Sequence, residues 1–225
     1  MNYTTLFETI KGYVENDFPN TTWTTTTGTS SDFTGKEQLD TFIKQAEQRI
    51  YNGVQILDLR KNVTGAVTTS NKYVTLPTDW LATYSLAVVD GDGAYSYLLN
   101  KDVNYIREAF PTPTDTGLPT HYATFDKNSL IVGPTPDSTY TVELHYFYYP
   151  ETIVTATTTW LGDNFDSVLL YGALLEAYTF MKGEQDVIAN YQKRYDEALM
   201  QLKMQAEGKN RQDMYRTAQA RYPVR

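Results

Sequence analysis

The chain of 225 residues contains no cysteine. Without thiols it can form neither a disulfide framework nor a thiolate zinc site, so a small secreted disulfide scaffold is excluded. Its two histidines, His121 and His145, do not have the spacing of a metal site or a catalytic triad, and we expect both to be structural or surface residues. Stability must therefore come from a packed core or from assembly with other chains.

Long apolar runs are also missing. The longest, VLLYGALLEAYTFM, is interrupted by Glu176 and falls short of the roughly 20 residues that span a bilayer. The N-terminal MNYTTLFETIKGYVEND is amphipathic and does not have the basic-then-apolar layout of a signal peptide. We expect a soluble protein that makes no membrane contact.

The known catalytic and ligand-binding motifs are absent too. There is no phosphate-binding glycine loop, nucleophile elbow or dinucleotide fingerprint. Asp90-Gly91-Asp92-Gly93 resembles the start of a calcium loop, but Lys101 occupies the twelfth position, where a bidentate glutamate is required, so we predict a turn. We predict no enzyme activity, no catalytic residue, no metal site and no cofactor.

Basic charge is concentrated at the C-terminus of an acidic chain. From Gly208 onward, five basic residues and one aspartate give +4, which leaves −12 on the body for a total of −8. This tail has no core pattern. It is an arm that orders on a partner, with Tyr215, Tyr222 and Pro223 as anchors, a segment that approaches the phosphates of DNA, or a solvated terminus.

Tyrosine is abundant, at 19 residues. Because tyrosine combines apolar area with a polar tip, it suits surfaces that become buried between subunits. Half-exposed strands of a β-rich domain would explain the same composition. Both interpretations remain open at this level.

The N-terminal part of the chain has helical periodicity. Apolar residues spaced by three and four predict a helix over 5–17 that ends before Pro19. Residues 20–31, mostly threonine and glycine, predict a loop or surface arm. Thr34 and Glu37 have the spacing of a capping box that opens a second helix, predicted to run to about Leu59.

The middle of the chain changes to strand periodicity. We predict strands over 71–76, 84–89, 95–99, 122–125, 130–132 and 139–148, in a small antiparallel sheet, with a helical turn or two at 102–110. In the last strand, Tyr140, Val142, Leu144 and Tyr146 are predicted to form the buried face.

The C-terminal part returns to helix. Asp163 or Asn164 is predicted to cap a first helix, Gly172 to allow close approach of another helix, and Gly183 to supply a left-handed stop before a second helix. The pattern predicts a helical hairpin that packs on the second N-terminal helix. The predicted bundle core comprises Ile43, Ile50, Leu57, Leu169, Ala173, Ile188, Tyr191, Tyr195 and Leu202.

These elements predict an α+β fold, in which a helical bundle carries an inserted antiparallel β subdomain and an extended basic tail. The predicted segments are N-terminal helices with the threonine-rich loop over 1–61, the β subdomain over 62–160, the helical hairpin over 161–207 and the tail over 208–225.

Several stretches resemble the head-to-tail adaptor (connector) proteins of short-tailed and related tailed bacteriophages. They are LPTDW at 76–80, GLPTHY at 117–122 leading to LIVGP at 130–134, and the helices over 164–182 and 191–203. The similarity runs from about Lys36 to the end of the chain, and the threonine-rich arm at 20–31 is not part of it.

The resemblance implies a structural virion protein, assembled in the bacterial host cytoplasm, that commonly forms a ring of twelve copies beneath the portal. Such a ring extends the channel for genomic DNA, without sequence recognition, and offers a platform for tail nozzle or tail-fibre proteins. It also implies that the tail docks on the portal protein, through Arg211, Tyr215, Arg216, Arg221, Tyr222 and Arg225.

Two other classes stay open. A tail-fibre attachment or baseplate protein would share this composition but would bind fibre proteins without the portal. A glycan-binding or glycan-cleaving module would use the tyrosine-rich strands, with Trp80 or Trp160 as a stacking platform.

Overall fold

A computed structural model describes residues 1–24 and 30–210 of the chain. Within these ranges the helices are α1 (Tyr3–Val14), α2 (Gly35–Gly53), α3 (Val103–Ala109), α4 (Ile153–Ala156), α5 (Trp160–Asn164), α6 (Asp166–Phe180) and α7 (Gln185–Asn210). The strands are β1 (Thr21–Thr24), β2 (Ser30–Phe33), β3 (Arg60–Val67), β4 (Tyr73–Thr75), β5 (Ala82–Val89), β6 (Tyr95–Tyr97), β7 (Leu99–Asn100), β8 (His121–Asp126), β9 (Ser129–Gly133) and β10 (Tyr140–Phe147). The predicted α+β class is confirmed.

The chain divides into two compact units. The helical unit contains Met1–Leu57 and the chain from Pro150 onward, and the β unit contains Asp58–Tyr149. The predicted insertion spanned 62–160. The difference at its end comes from α4 and α5, which pack on α2 and α6 and so belong to the helical unit.

Helix α6 is the centre of the helical unit. It contacts α1, α2 and α7 and is apolar around most of its circumference, as expected for a helix enclosed by others. A Cβ atom added to Gly172 would lie 3.1 Å from Ala46 Cβ on α2 and 3.3 Å from Tyr195 Cε2 on α7. Glycine at 172 therefore permits the close approach of helices that the sequence predicts.

Most of the predicted core residues are buried in this unit. Ile43, Ile50, Leu169, Ala173, Tyr195 and Leu202 are all buried. Ile188 and Tyr191 are only half-buried. Leu57 is wrong as a core residue, because it is 56% exposed. Helix α2 ends at Gly53 and the chain turns extended at Val54, so the helical periodicity no longer applies at Leu57.

The helix ends confirm one predicted cap and correct others. At α2, the Thr34 hydroxyl accepts from the Glu37 N–H and the Glu37 carboxylate accepts from the Thr34 N–H, which is the predicted capping box. The predicted cap of α6 by Asp163 or Asn164 is wrong, since both residues lie within α5, which is capped by Thr159. Phe165 precedes α6 without a side-chain hydrogen bond.

Gly183 does not supply the left-handed stop. The left-handed residue is its neighbour Lys182, at φ 56°. A Cβ atom at position 183 would lie 2.7 Å from Tyr178 Cδ1, so glycine is required there by the close approach of the tyrosine ring. The first helix also ends early, because Glu15 adopts a left-handed conformation and its N–H donates to Lys11 O.

Residues 20–31 are not simply a loop. Strand β1 pairs with β2 in an antiparallel hairpin, from Thr21 opposite Phe33 to Thr24 opposite Ser30. Threonine has a high strand propensity, and here that propensity prevails over the absence of a core pattern. Residues 25–29 of the predicted arm lie outside the described part of the chain.

The β unit contains two four-stranded sheets instead of the one small antiparallel sheet that was predicted. The first has the order β3-β10-β5-β6 and is antiparallel. The second has the order β4-β9-β8-β7 and is mixed, since β7 runs parallel to β8. Strand β3 was not predicted, because its side chains from Lys61 to Ala66 are all exposed and so show no alternation.

The two sheets share one hydrophobic core. The first sheet contributes the predicted residues Val142, Leu144 and Tyr146, and the second contributes Leu130 and Val132. Tyr140, the fourth residue of the predicted face, is half-buried at its edge. A smaller cluster joins α3 to β8 and β9. The opposite face of the first sheet is thus left outside the core.

A buried carboxylate joins two helices of the helical unit. Glu47 on α2 is 3% exposed and accepts hydrogen bonds from the Thr152 hydroxyl and, at 2.9 Å, from the Ile153 N–H at the start of α4. Burial raises the pKa of Glu47, although both hydrogen bonds oppose that shift. The side chain satisfies donors at the α4 terminus that would otherwise be buried without a partner.

Replacing Glu47 by alanine is expected to lower the free energy of unfolding by about 1 to 3 kcal/mol, because the Ile153 N–H would lose its acceptor. Glu47→Gln is expected to be far milder, since its amide oxygen can still accept from Ile153 N–H while its NH₂ group donates to Thr152. Urea titrations of both variants measure the difference. Equal losses for Ala and Gln would contradict this role.

The buried Glu47 carboxylate is expected to make the stability of the chain depend on pH. Because the folded-state pKa of Glu47 is raised, its contribution to stability is fully present below the unfolded pKa and is lost as the pH rises through the folded pKa. The stability of the wild-type chain relative to Glu47→Gln should therefore fall as the pH rises above about 4.5. A relative stability that rises over this window would contradict the assignment.

Candidate interaction surfaces

The predicted portal-contacting residues of the tail lie outside the described part of the chain. These are Arg211, Tyr215, Arg216, Arg221, Tyr222 and Arg225. Their role stays a prediction. Helix α7 extends to Asn210, three residues into the predicted tail, so the segment beyond the last described helix is residues 211–225.

One face of the β unit carries a concentration of accessible aromatic and charged side chains. It is the side of the β3-β10-β5-β6 sheet opposite the core, and we call it the aromatic sheet face. Its members are Arg60, Asn62, Tyr84, Tyr95, Tyr97, Glu143, His145 and Phe147. Exposed aromatic clusters of this kind are typical of protein interfaces.

Strand alternation and a bulge together produce this face. Val142, Leu144 and Tyr146 of β10 point into the core, so Glu143, His145 and Phe147 point away from it. The pairing of β10 with β5 shifts between His145 and Tyr146, which leaves Tyr84 as an extra residue on β5. The Tyr84 ring packs edge-on against Phe147, with the ring centroids 5.8 Å apart.

Glu143 is the anionic centre of the aromatic sheet face. Its Oε1 accepts from Asn62 Nδ2 at 2.6 Å and lies 3.4 Å from His145 Nε2. The hydrogen bond from Asn62, followed by that from the Tyr95 hydroxyl, lowers the pKa of Glu143. The reciprocal effect raises the pKa of Tyr95. Glu143 is therefore a carboxylate at neutral pH, held in position by Asn62 of β3 and Tyr95 of β6.

Arg60 supplies a cation at the edge of the same face. Its guanidinium carbon lies 4.3 Å from the centroid of the Tyr84 ring and 5.6 Å from that of Phe147. These distances are typical of cation–π contacts, which favour the planar guanidinium over an ammonium group. The face thus already holds one arginine against its aromatic rings.

A groove of about 350 Å³ opens on this face. It is lined by Tyr84, Ser85, Ala87, Tyr97, Glu143 and His145. Tyr84 and Tyr97 are 52% and 69% exposed, so their rings are accessible to a partner. Sequence reasoning assigned His145 a structural or surface role and did not single out Glu143. The alternation in β10 indicated that both were partly exposed, but their grouping with β5 and β6 required the sheet order.

On the core side of the same sheet, the LPTDW motif at 76–80 has a structural role. Asp79 accepts from the Tyr146 hydroxyl at 2.9 Å and from Lys61 Nζ at 2.9 Å. The Lys61 contact is the main reason that the pKa of Asp79 is lowered. Trp80 packs against the core, and its indole N–H donates to Thr83. Trp80 therefore contributes to packing, which argues against its use as an exposed stacking platform.

The GLPTHY motif at 117–122 forms the connection that leads into β8. Thr120 N–H donates to Gly133 O, and the Thr120 hydroxyl lies 2.8 Å from His121 Nδ1. The His121 ring packs against Tyr105 of α3, with centroids 5.6 Å apart, and lies near Phe110. Both histidines of the chain thus have structural neighbours. Among residues 1–24 and 30–210, no group of three or more His, Asp or Glu side chains is arranged to hold a metal ion.

A comparison with protein families now identifies the chain. The family model of the SU10 adaptor protein matches residues 1–222 of the chain. The chain belongs to the SU10 adaptor protein family. No curated protein matches it.

Membership of the SU10 adaptor family makes this a structural adaptor protein of a phage particle, which interacts with other phage proteins. The match covers the helical unit, the β unit and most of the tail, including the threonine-rich hairpin that the sequence resemblance did not include. Within its described residues, this SU10 adaptor family member has no helix long and apolar enough to cross a membrane.

Proposed function

We propose that the chain is a head-to-tail adaptor, which assembles as a ring of twelve copies on the portal protein. The ring extends the channel for genomic DNA and provides the attachment platform for tail nozzle or tail-fibre proteins. The observation that carries this proposal is the match of the SU10 adaptor family to residues 1–222. The role is structural and requires no catalytic chemistry.

The tail is the proposed portal contact. Residues 211–225 contain four arginines, two tyrosines and one aspartate, in an otherwise acidic chain. Arginine and tyrosine are among the side chains most enriched at interface hot spots. An extended segment that orders on its partner can cover a large surface, and its cost in backbone entropy is met only when the partner is present.

The acidic body suits a channel through which DNA moves. Residues 1–210 carry a net charge of −11, since residues 211–225 carry +3 of the total −8. An acidic wall repels the phosphate backbone, so DNA would pass without being retained. This charge also disfavours binding of DNA by the body itself.

Sedimentation of the full-length chain with purified portal rings, and separately with tail-fibre protein, tests the proposal. Co-sedimentation with portal rings alone, without any fibre protein, is the expected result. Binding to fibre protein with no binding to portal rings would instead indicate a fibre-attachment or baseplate protein.

A further inference from the structure

The groove on the aromatic sheet face has the chemistry of a guanidinium-binding site. It combines two accessible aromatic rings, Tyr84 and Tyr97, with the Glu143 carboxylate. A planar cation can stack on aromatic rings while it donates hydrogen bonds to a carboxylate, and arginine does both better than lysine. A neutral or anionic ligand would leave the carboxylate without a matching charge.

The arrangement of Arg60 supports this interpretation. Its guanidinium already stacks on Tyr84 and Phe147 at the edge of the same face. His145 lies between Glu143 and Phe147 along β10, and its side chain, which is 44% exposed, lines the groove without closing it. The aromatic side chains of this face thus already pack against one guanidinium group. Glu143 adds a negatively charged carboxylate to the same groove.

The chain itself contains a segment of matching chemistry. Residues 211–225 hold arginines at positions 211, 216, 221 and 225 and carry +3, against −11 on residues 1–210. Each arginine is followed or preceded within a few residues by small or aromatic side chains. Charge complementarity therefore favours a contact between this segment and the acidic body of another copy.

We infer that the groove binds an arginine side chain from residues 211–225 of a second copy of this chain. The contact rests on the proposed ring, because it links neighbouring copies. At about 3.3 to 3.6 Å per residue, fifteen extended residues span roughly 50 Å, so one arginine in the groove leaves the rest of the segment for the portal.

Titration of a synthetic peptide, RQDMYRTAQARYPVR, into the full-length chain tests the inference by calorimetry at low and high salt. The titration is run at a chain concentration at which copies do not associate, so that the tails of other copies do not compete with the peptide. Glu143→Gln retains the size of the side chain and an acceptor for Asn62, and it is expected to weaken peptide binding at least tenfold. Glu108→Gln, an exposed carboxylate on α3, is the matched control and should change the affinity less than twofold.

Tyr97→Leu provides a second variant, because this ring is too exposed for its loss to unfold the β unit. It is also expected to weaken binding, and a peptide with all four arginines replaced by glutamine should not bind. The inference is overturned if the arginine-free peptide binds equally, if neither groove variant changes the affinity by twofold, or if the native peptide does not bind at millimolar concentration.

The portal experiment separates this inference from the proposed function. A full-length chain that joins portal rings but does not bind the peptide overturns the groove contact alone. A chain whose groove binds the peptide but which does not join portal rings contradicts the portal proposal and leaves the contact between copies supported.

Discussion

Gly35→Ala is expected to destabilise the helical unit by at least about 3 kcal/mol, which is a large fraction of the stability of a typical domain. Gly35 is the first residue of α2, and the chain at Asp17 and Phe18 crosses directly over it. A Cβ atom at position 35 would lie 2.6 Å from Asp17 O and closer still to Phe18 O. Both neighbours are backbone atoms, so a rotamer change cannot relieve the clash.

The backbone at this crossing has little freedom to move. Phe18 is held in a left-handed conformation, at φ 48°, and its N–H donates to Asn16 Oδ1. Its ring is buried against Phe42 and Phe180, with centroids 5.6 Å and 6.1 Å away. Displacing the backbone to admit a methyl group would therefore also disturb an aromatic cluster between α2 and α6.

Gly12→Ala is the matched control. Gly12 lies within α1, and a Cβ atom there would meet nothing within 4 Å. The same substitution should thus raise stability by about 0.5 to 1 kcal/mol, because alanine loses less backbone freedom than glycine in a helix. Thermal and urea unfolding should therefore show a lower stability for Gly35→Ala and a higher stability for Gly12→Ala than for the wild-type chain. A Gly35→Ala variant as stable as wild type would show that the crossing is not closely packed.

Removal of residues 211–225 is expected to weaken association with portal rings at least about a hundredfold. The segment contains four arginines and two tyrosines, and loss of a hot-spot side chain costs about 2 kcal/mol or more. Two such losses already exceed a hundredfold change in affinity, since 1.4 kcal/mol corresponds to tenfold. The cut should follow Asn210, because α7 extends to that residue.

A full-length variant with Arg211, Arg216, Arg221 and Arg225 replaced by glutamine separates charge from chain length. It should bind portal rings more weakly than wild type and with less dependence on salt, because fewer ion pairs form. Binding by surface plasmon resonance at several salt concentrations measures both effects. Unchanged binding by the chain ending at Asn210 would exclude the tail as the portal contact.

Local sequence signals predicted local structure well. The capping box at Thr34 and Glu37 is present as predicted, since it depends only on residues three apart. The turn at 90–93 is likewise confirmed, with Asp90 Oδ1 accepting from the Asp92 and Ala94 N–H groups and Gly93 at φ 83°. Both features are determined by contacts within five residues.

Features that depend on distant parts of the chain were missed. Strand β3 was not predicted because it is an edge strand with exposed residues on both faces, and only its pairing with β10 defines it. Similarly, the requirement for glycine at 35 and 183 comes from side chains or backbone that pack there. The groove joins Tyr84, Tyr97 and Glu143 from three strands, so it exists only once the sheet order is known.

The proposed function is tested most directly by the native mass of the full-length chain mixed with purified portal rings. We expect one complex that contains a portal ring and twelve copies of the chain, with no free portal at saturating concentration. Portal rings that keep their own mass in the presence of excess full-length chain would contradict the adaptor assignment.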